Sequence, residues 1–421
     1  PAARSEEGIP VGNGPMGSLV WTTPTALRFP INRVDVYANG CATNSFFKRN
    51  NDYCGGCAYL DIDFAGLAGN PFPATGFHQR LSVYDGLLTV EGEQVSARIV
   101  AWPAQDVMAI EVDDRRAARP PVSVTLRMLR YSTKYFGKQL EEFARDRIVM
   151  VETRNQTAAS QLLIRDGRIG LTQEFREGAF YCGSAVAAAI AGGDAAPRFV
   201  NETDVAITLE AGPGPFTILI ASAASFDPAE DVAAAAFRLL EAAARQRFPV
   251  LAKDTQEWWH DFWSRGFVEL DSADGTADYI ALNYNYFLYL MGASSRGTLP
   301  PKFNGMIWNT GGDLRTWGAQ HWFANLSCYY EGMPATNRWE LMDPMFNMYS
   351  GMSDACAVAA RQQWGSQGMY IPETVYFDGL EKLPGDIASE MQELYLLRKP
   401  WAERSTRFRE FSETKHPHSS R

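Results

Sequence analysis

The sequence predicts a multidomain protein in which a large antiparallel β-sandwich precedes a mainly α-helical part. Between Leu81 and Ala224, short runs of β-branched and apolar residues recur, separated by Gly, Asp, Asn and Pro. That spacing is typical of an antiparallel sandwich. At Ser225 the apolar period becomes that of amphipathic helices. With 421 residues and 46% hydrophobic content, the chain is long enough for two or three domains with buried cores.

Three segments with helical periodicity follow the strand-like runs, and they define the predicted domain boundaries. We expect a sandwich domain at 1–224, a helical linker at 225–272 and a helical domain at 273–421. Asp227 is a suitable N-cap, with Pro228 at the first helical position and Glu230 at the third. The aromatic stripe "WWHDFWSRGF" from Trp258 has helical spacing, so we expect it to pack against the sandwich and not to form a sugar subsite.

Composition and charge exclude several classes of protein. The longest run of small apolar residues, "AVAAAIAG" at 185–192, is too short to span a bilayer, so no membrane span is expected. A formal net charge of -10 and a pI near 5.2 argue against a nucleic-acid partner, because such proteins usually carry a basic face. Neutral substrates fit better. The chain begins at Pro1, which does not decide whether a secretory signal was removed.

The cysteines are too few and too scattered for a disulfide scaffold. The "CGGC" at Cys54 to Cys57, with Cys41 upstream, has two further interpretations, part of a zinc site or a redox pair. A zinc site would need a second ligand pair, and a redox motif would need a strand before it and a helix after it. Free or locally bridged structural cysteines are the favoured interpretation, and no metal or cofactor is predicted.

One segment combines aromatic, amide and glycine residues without any apolar period: "PPKFNGMIWNTGGDLRTWGAQHWFAN" at 300–325. Sugars present apolar C–H faces and a hydroxyl edge, so sugar sites combine flat aromatic rings with hydrogen-bonding groups. The candidate ring platforms are Trp308, Trp317 and Trp322. The candidate polar contacts are Asn304, Asn309, Asp313, Arg315, Gln320 and His321. The alternative for at least one tryptophan is ordinary core packing.

Two further stretches carry a resemblance to a known family. The N-terminal "GIPVGNGPMGSLVW" at 8–21, with "ALRFPINRVDVYANG" at 26–40, and the later "YNYFLYLMGASSRGTLPPKFNGMIWN" at 284–309 resemble segments of glycoside hydrolase family 95, the α-L-fucosidases and α-L-galactosidases. The resemblance implies a β-super-sandwich, a helical linker and an (α/α)6 barrel. Such a barrel needs about 350 residues, so we expect this chain to end within it. Asn32 and Arg33 are expected at the interface between the domains.

Glycosidic bond cleavage needs a protonated carboxyl group at the leaving oxygen and a second group that attacks the sugar or activates water. The resemblance implies that Glu373, in "GMYIPETVYFDG" at 368–379, is the general acid. We expect burial among Tyr370, Tyr376 and Phe377 to raise its pKa. The alternative is a solvated loop glutamate.

The second catalytic group, which activates or orients the attacking water, is less well defined by the sequence. In the family, two asparagines orient the attacking water, together with an aspartate late in the barrel. In "HWFANLSCYYEGMPATNRWE" at 321–340, Asn325 matches the second asparagine and Phe323 replaces the first. The late aspartate would lie beyond Arg421, and Asp313 and Glu331 are the substitutes within the chain. Asn325 could instead cap a helix or belong to a coincidental "NLS" sequon.

The resemblance implies an inverting, exo-acting glycosidase that removes a terminal α-L-fucose-like or α-L-galactose-like sugar from plant or host glycans, secreted or periplasmic in bacteria. The expected partner is an oligosaccharide or polysaccharide. Phe323 departs from the family pattern and weakens the expectation of fucose specificity. A polysaccharide lyase is one alternative, although only Arg315 and His321 suit it. A non-catalytic glycan-binding protein is the other.

Overall fold

A computed structural model describes residues 2–414 except 3, 42–54, 65–69, 118–119, 130–147, 154–155, 193–194, 211–213, 311–317 and 319. The N-terminal half is built from strands β1 (Ile9–Gly12), β2 (Met16–Thr22), β3 (Ala26–Arg33), β4 (Gly56–Asp63), β5 (His78–Ser82), β6 (Leu87–Glu91), β7 (Val95–Trp102), β8 (Val107–Asp114), β9 (Val122–Arg127), β10 (Ile148–Thr153), β11 (Gln156–Arg165), β12 (Arg168–Glu177), β13 (Phe180–Ala191), β14 (Ala195–Phe199), β15 (Asp204–Leu209) and β16 (Phe216–Ser225). These strands include all the runs whose pattern predicts β-structure.

The described strands form two antiparallel sheets. One sheet has the order β1-β2-β3-β4-β9-β15-β14, and the other has the order β10-β11-β12-β13-β16-β8-β7-β6-β5. Alternate residues of β9, for example Val122, Val124 and Leu126, are buried against residues of the other sheet such as Ile110 and Val186. This alternation places one face of each sheet in a shared core, as in a sandwich. The predicted β-sandwich is confirmed.

The helices follow the sandwich. They are α1 (Val232–Ala244), α2 (Phe248–Ser264), α3 (Thr276–Ser294), α4 (Phe323–Tyr330), α5 (Asp343–Gly351), α6 (Ser353–Ala359), α7 (Gly385–Tyr395) and α8 (Thr406–Thr414). Short strands β17 (His321–Trp322) and β18 (Thr374–Val375) lie among them. The predicted order, a β-sandwich followed by helices, is therefore confirmed.

The predicted start of the first helix is wrong by four residues. Asp231 is the N-cap of α1, and its side chain accepts a hydrogen bond from the Ala234 N–H at 2.8 Å. Asp227 instead accepts from the Ala229 N–H at 2.8 Å, which closes a local turn around Pro228. Both aspartates are good caps, and the chain uses the later one because the first is engaged in this turn.

Helices α1 and α2 cover the outer face of the larger sheet. Val232, Ala236 and Leu240 of α1 lie in one buried cluster with Ala187 of β13 and Leu219 of β16. Small residues on β13 allow the helix to approach the sheet closely. The larger sheet is consequently buried on both faces, which explains why β13 is apolar along most of its length instead of alternating.

The aromatic stripe of α2 lies between the sandwich and α3, as predicted. The Trp259 ring stacks on Tyr289 of α3 at a centroid distance of 4.7 Å, and the Trp263 Nε1–H donates to the Val83 carbonyl at 2.8 Å. At the end of α2, the buried Arg338 guanidinium donates to the carbonyls of Phe262 and Gly266. A cation at a helix C-terminus interacts favourably with the helix dipole.

The N-terminal motif joins the sandwich to the segment that follows α3. The Asn32 side chain donates to the Asn309 carbonyl at 3.0 Å, and the Tyr59 hydroxyl donates to the Thr310 carbonyl at 2.8 Å. Asn32 thus lies at the interface, as expected. The Arg33 guanidinium pairs with Asp35 and Asp106 of the sandwich domain, at 2.8 Å from each carboxylate.

Within the described part of the chain, Cys41, Cys57, Cys182, Cys328 and Cys356 carry free thiols. Cys54 lies outside the described residues. Over the same part of the chain, no helix is both long and apolar enough to cross a bilayer.

Candidate functional site

A two-stranded antiparallel ladder joins the tryptophan-rich segment to the Pro-Glu loop. His321 of β17 lies opposite Val375 of β18, and Trp322 lies opposite Thr374. The Phe323 N–H donates to the Glu373 carbonyl at 3.2 Å, which continues the ladder by one residue. Two segments separated by about fifty residues therefore meet, and they are the two that the sequence selects as functional.

The Glu373 carbonyl also completes the start of α4. No side chain caps this helix, so its first N–H groups need other acceptors. The carbonyl of Glu373 supplies one of them, and the preceding Pro372 is buried. These two contacts fix the backbone that carries the Glu373 side chain.

The expected burial of Glu373 is wrong. Its side chain is exposed, and among the described residues its carboxylate makes no hydrogen bond or ion pair. The three aromatic residues expected around it pack elsewhere: Tyr376 lies in the sandwich core, Phe377 stacks on Phe226 at 4.7 Å, and Tyr370 packs on Trp364 at 5.6 Å.

A different aromatic group lies beside Glu373. The Phe323 ring is 54% exposed and packs edge-on against Tyr349 at 5.9 Å. Burial raises the pKa of Tyr349 to about 12. The half-buried Trp322 packs against Phe303 at 5.9 Å. Glu373 and Phe323 are both exposed and are joined by the backbone hydrogen bond of the ladder, and a carboxylate and an aromatic ring are the two group types that a sugar site requires.

His321 is the inward-facing member of the ladder. Its side chain is fully buried, and Nε2 lies 2.9 Å from the Tyr37 hydroxyl of the sandwich. Nδ1 has no hydrogen-bond partner among the described residues. Burial, together with the nearby Lys302 charge, lowers the pKa of His321 to about 3. The imidazole is therefore neutral and anchors the ladder, so it does not act as an exposed sugar contact.

Lys302 completes this anchor, and sequence reasoning missed both Lys302 and Tyr37. The buried Lys302 ammonium donates to the carbonyls of Val34 and Val36 at 3.1 and 3.3 Å. It also lies 3.8 Å from the centre of the Tyr37 ring, a cation–π contact. No local sequence pattern marks this cluster, because its members come from distant parts of the chain. Lys302 does stand within the tryptophan-rich segment.

Asp378 has the buried character expected of Glu373. Its carboxylate accepts from the Cys41 N–H at 3.0 Å, and burial raises its pKa. The "YFDG" sequence forms a turn in which Tyr376 bridges to Gly379. Asp378 thus ties the loop after Glu373 to the sandwich. The Asp-Gly pair signals such a turn, although not its partner.

The remaining residues predicted to contact the sugar do not share one environment. Trp308 is half-buried and packs over the β1–β2 hairpin, where a Cβ at Gly17 would lie 2.9 Å from its ring. It therefore serves core packing, the alternative considered above. Asn309 and Gln320 are buried, and Asn304 is half-buried. Asp313, Arg315 and Trp317 lie outside the described residues.

Two candidates for the group that activates or orients the attacking water lie on α4 or at its end. Asn325 is exposed, but it follows Phe323 by two residues and so projects from roughly the opposite side of the helix. Glu331 is exposed at the C-terminal end of α4. The eight residues between the ends of the helix correspond to about 12 Å. The ladder therefore brings neither of them to the side of Glu373 that Phe323 occupies.

No group of three or more His, Cys, Asp or Glu side chains that could hold a metal ion occurs among the residues with described positions. The ladder region consequently offers hydrogen bonds, an aromatic ring and one free carboxylate. These groups can bind a neutral polar ligand and transfer a proton to it.

Comparison with known proteins supports the fold. Residues 1–172 match a family described as "Domain of unknown function (DUF5703)". No curated protein sequence matches the chain. Among solved structures, the chain is similar to a protein described as "Putative kojibiose phosphorylase from human microbiome", with a TM-score of 0.52 and 13% identity, over 90% of this chain and 51% of that one. The chain thus spans about half the length of that structure.

Two further similarities have lower scores. A bacterial glucoamylase complexed with acarbose gives a TM-score of 0.41 at 10% identity, over 92% of this chain and 58% of that one. A family GH92 alpha-mannosidase from Bacteroides thetaiotaomicron gives a TM-score of 0.37 at 10% identity, over 69% of this chain and 39% of that one. The fold comparison rests on the first structure, with which the chain shares a β-sandwich followed by helices.

Proposed function

We propose that the protein acts on glycans and cleaves a glycosidic bond, with Glu373 as the proton donor. The observation that carries the proposal is the ladder, which joins the exposed Glu373 to the exposed Phe323 by a backbone hydrogen bond, so that we expect their side chains to be neighbours. The fold similarity to a protein described as a kojibiose phosphorylase supports the same class of substrate. The same proposal assigns the helices from α3 onward to part of an (α/α)6 barrel.

An exposed glutamate can serve as an acid when the substrate itself excludes water. A sugar ring stacked on Phe323 would cover the Glu373 carboxyl group, and loss of water raises the pKa of a carboxyl. The protonated group then donates its proton to the leaving oxygen as the C–O bond breaks. Binding and proton transfer are thus coupled at this site.

The finer assignment is an inverting, exo-acting enzyme for a terminal α-L-fucose-like or α-L-galactose-like sugar. In an inverting reaction, water attacks from the face opposite the acid, and the two catalytic groups lie about 6.5–9.5 Å apart. Asn325, the counterpart of the family's water-orienting asparagine, projects from the side of α4 opposite Phe323, so it is not proposed as a residue of this site. An Asn325→Ala variant should therefore leave both kcat and KM nearly unchanged.

The test is a pair of glutamate variants. Glu373→Gln should lower kcat/KM on natural oligosaccharides by about 10²–10⁴-fold. Glu403→Gln, which changes an exposed glutamate between α7 and α8, is the matched control and should retain activity. Dinitrophenyl glycosides need little proton donation, so Glu373→Gln should lose much less activity on them. Equal activity of Glu373→Gln and the unchanged protein on oligosaccharides would refute the assignment.

The products separate this proposal from the alternatives. NMR of the first product formed gives the anomer and hence inversion or retention. An unsaturated product indicates a lyase, and glycan binding without turnover indicates a binding protein. Because one similar structure bears the name of a phosphorylase, the assay is run with and without inorganic phosphate. A sugar phosphate formed only with phosphate present would indicate phosphorolysis.

A further inference from the structure

A second concave site lies at the junction of the sandwich with α2 and α3. Its cavity has a volume of about 290 Å³. The cavity is lined by Tyr84, His260, Trp263, Ser264, Phe267 and Asn285, together with Val83. None of these residues belongs to the ladder or to the loops that the ladder joins. The size is close to the lower limit for small-molecule sites, which fits one sugar ring.

Two exposed aromatic rings flank the cavity. Tyr84 is 55% exposed and Phe267 is 63% exposed, whereas Trp263 is buried between them and has its indole N–H satisfied by the Val83 carbonyl. Exposed rings beside a buried ring give an apolar slot with open edges. The C–H face of a pyranose ring packs well against such surfaces.

The Tyr84 ring is held in place by a chain of contacts. It stacks on the His260 imidazole at a centroid distance of 4.2 Å, and His260 Nε2 lies 2.9 Å from the Asp85 carboxylate. The Ser82 hydroxyl donates to the same carboxylate at 2.6 Å. An exposed ring that is already immobile loses little entropy when it binds a ligand. A rigid exposed tyrosine is therefore a suitable binding surface.

Polar groups occur at the rim of the slot. The Asn285 amide pairs with both backbone groups of Val268, which leaves one N–H of the amide available. The Ser264 hydroxyl donates to the Asp261 carbonyl and can still accept a hydrogen bond. Neutral donors and acceptors around an apolar floor suit hydroxyl groups better than a charged or purely apolar ligand.

We propose that this slot is an accessory glycan-binding site that holds one ring of a neutral oligosaccharide between Tyr84 and Phe267. The choice of a carbohydrate ligand rests on the proposed function, while the site itself is separate from the ladder. It would hold part of a long substrate away from the place where the bond is cleaved, and it would add affinity through a second point of attachment.

The test measures binding without turnover. The probes are neutral hexasaccharides of glucose, mannose, xylose and galactose, titrated into the Glu373→Gln protein by calorimetry. Adding Tyr84→Ala or Phe267→Ala should weaken binding of the best hexasaccharide at least about tenfold. The matched control is Tyr279→Ala, an exposed tyrosine of α3 that does not line the cavity, and it should leave binding unchanged. Thermal unfolding verifies that each variant is folded.

Three outcomes would overturn the inference. The first is that no hexasaccharide binds, and the second is that the Tyr84→Ala and Tyr279→Ala variants bind the hexasaccharide equally well. The third is that Tyr84→Ala, in the protein that retains Glu373, lowers turnover of an aryl glycoside with a single sugar. The last result would make the slot part of the reaction site. Failure of the proposed function gives a different result from failure of this inference. If Glu373 is not the proton donor, Glu373→Gln retains full activity, while Tyr84→Ala still weakens hexasaccharide binding.

Discussion

The Tyr37 hydroxyl lies 2.9 Å from Nε2 of His321, and this contact joins the end of the sandwich to the ladder that carries Glu373. Both side chains are fully buried. The position of the candidate acid thus depends on packing between the two halves of the structure. Changes at this contact are expected to alter stability as well as activity.

Stability should fall as the pH is lowered from 7 to 4.5. The pKa of His321 is about 3 in the folded protein, against an ordinary value of 6.5. Between these values the unfolded chain binds a proton that the folded protein does not, so the free energy of unfolding decreases with decreasing pH. The expected contribution of His321 is about 2 to 3 kcal/mol, measured by urea denaturation at each pH.

A His321→Gln variant is the control for this effect, because glutamine can still pair with Tyr37 and does not titrate. Its stability should change less with pH over the same range. Carboxylates whose pKa differs between the folded and unfolded protein also titrate near the lower end of this window, and comparison of the two proteins at each pH removes their contribution. An unchanged pH dependence in His321→Gln would show that other groups cause it.

Phe323→Ala should weaken substrate binding. Its exposed ring beside Glu373 is the proposed sugar platform, and loss of about 1 kcal/mol of stacking corresponds to a rise in KM of about five- to tenfold. Tyr279→Ala is the matched control, because Tyr279 of α3 is also exposed and belongs neither to the ladder nor to α5, the helix that contacts Phe323. Steady-state kinetics on oligosaccharides provide the comparison. Similar KM values for both variants would remove Phe323 from the site.

The fold was more predictable than the site because strand and helix patterns are local. β9 alternates buried and half-buried residues, and the buried residues Val232, Ala236 and Leu240 of α1 recur at helical spacing. The partners of His321 come from segments such as the one containing Tyr37, 284 residues away, and no periodicity records that contact. The exposure of Glu373 depends on how the loop that contains it packs against the rest of the protein, which is a tertiary property. The motifs identified the segments that meet but not the orientation of each side chain.

The N-cap of α1 can be tested directly. Asp231→Ala should destabilise the protein by about 1 kcal/mol, since the Ala234 N–H loses its acceptor. Asp227→Ala disrupts only a turn that precedes the helix, so its cost should be smaller. Urea denaturation of both variants compares them under identical conditions. A larger loss for Asp227→Ala would place the start of the helix at the position that the sequence pattern favours.

The junction between the sandwich and α2 depends on the absence of a side chain at Gly86. Gly86 has a φ of +61°, and a Cβ there would lie 1.9 Å from Cδ1 of Trp259. Gly167 has a φ of +75° and open space around the same position, so it shares the left-handed backbone without the clash. Gly167→Ala should cost about 1 kcal/mol through backbone strain alone. Gly86→Ala should cost about 1 to 3 kcal/mol more, because the Trp259 ring must move within a packed core. Equal losses in urea denaturation would mean that Trp259 shifts freely, and the turn that carries Tyr84 would then not be rigidly held against α2.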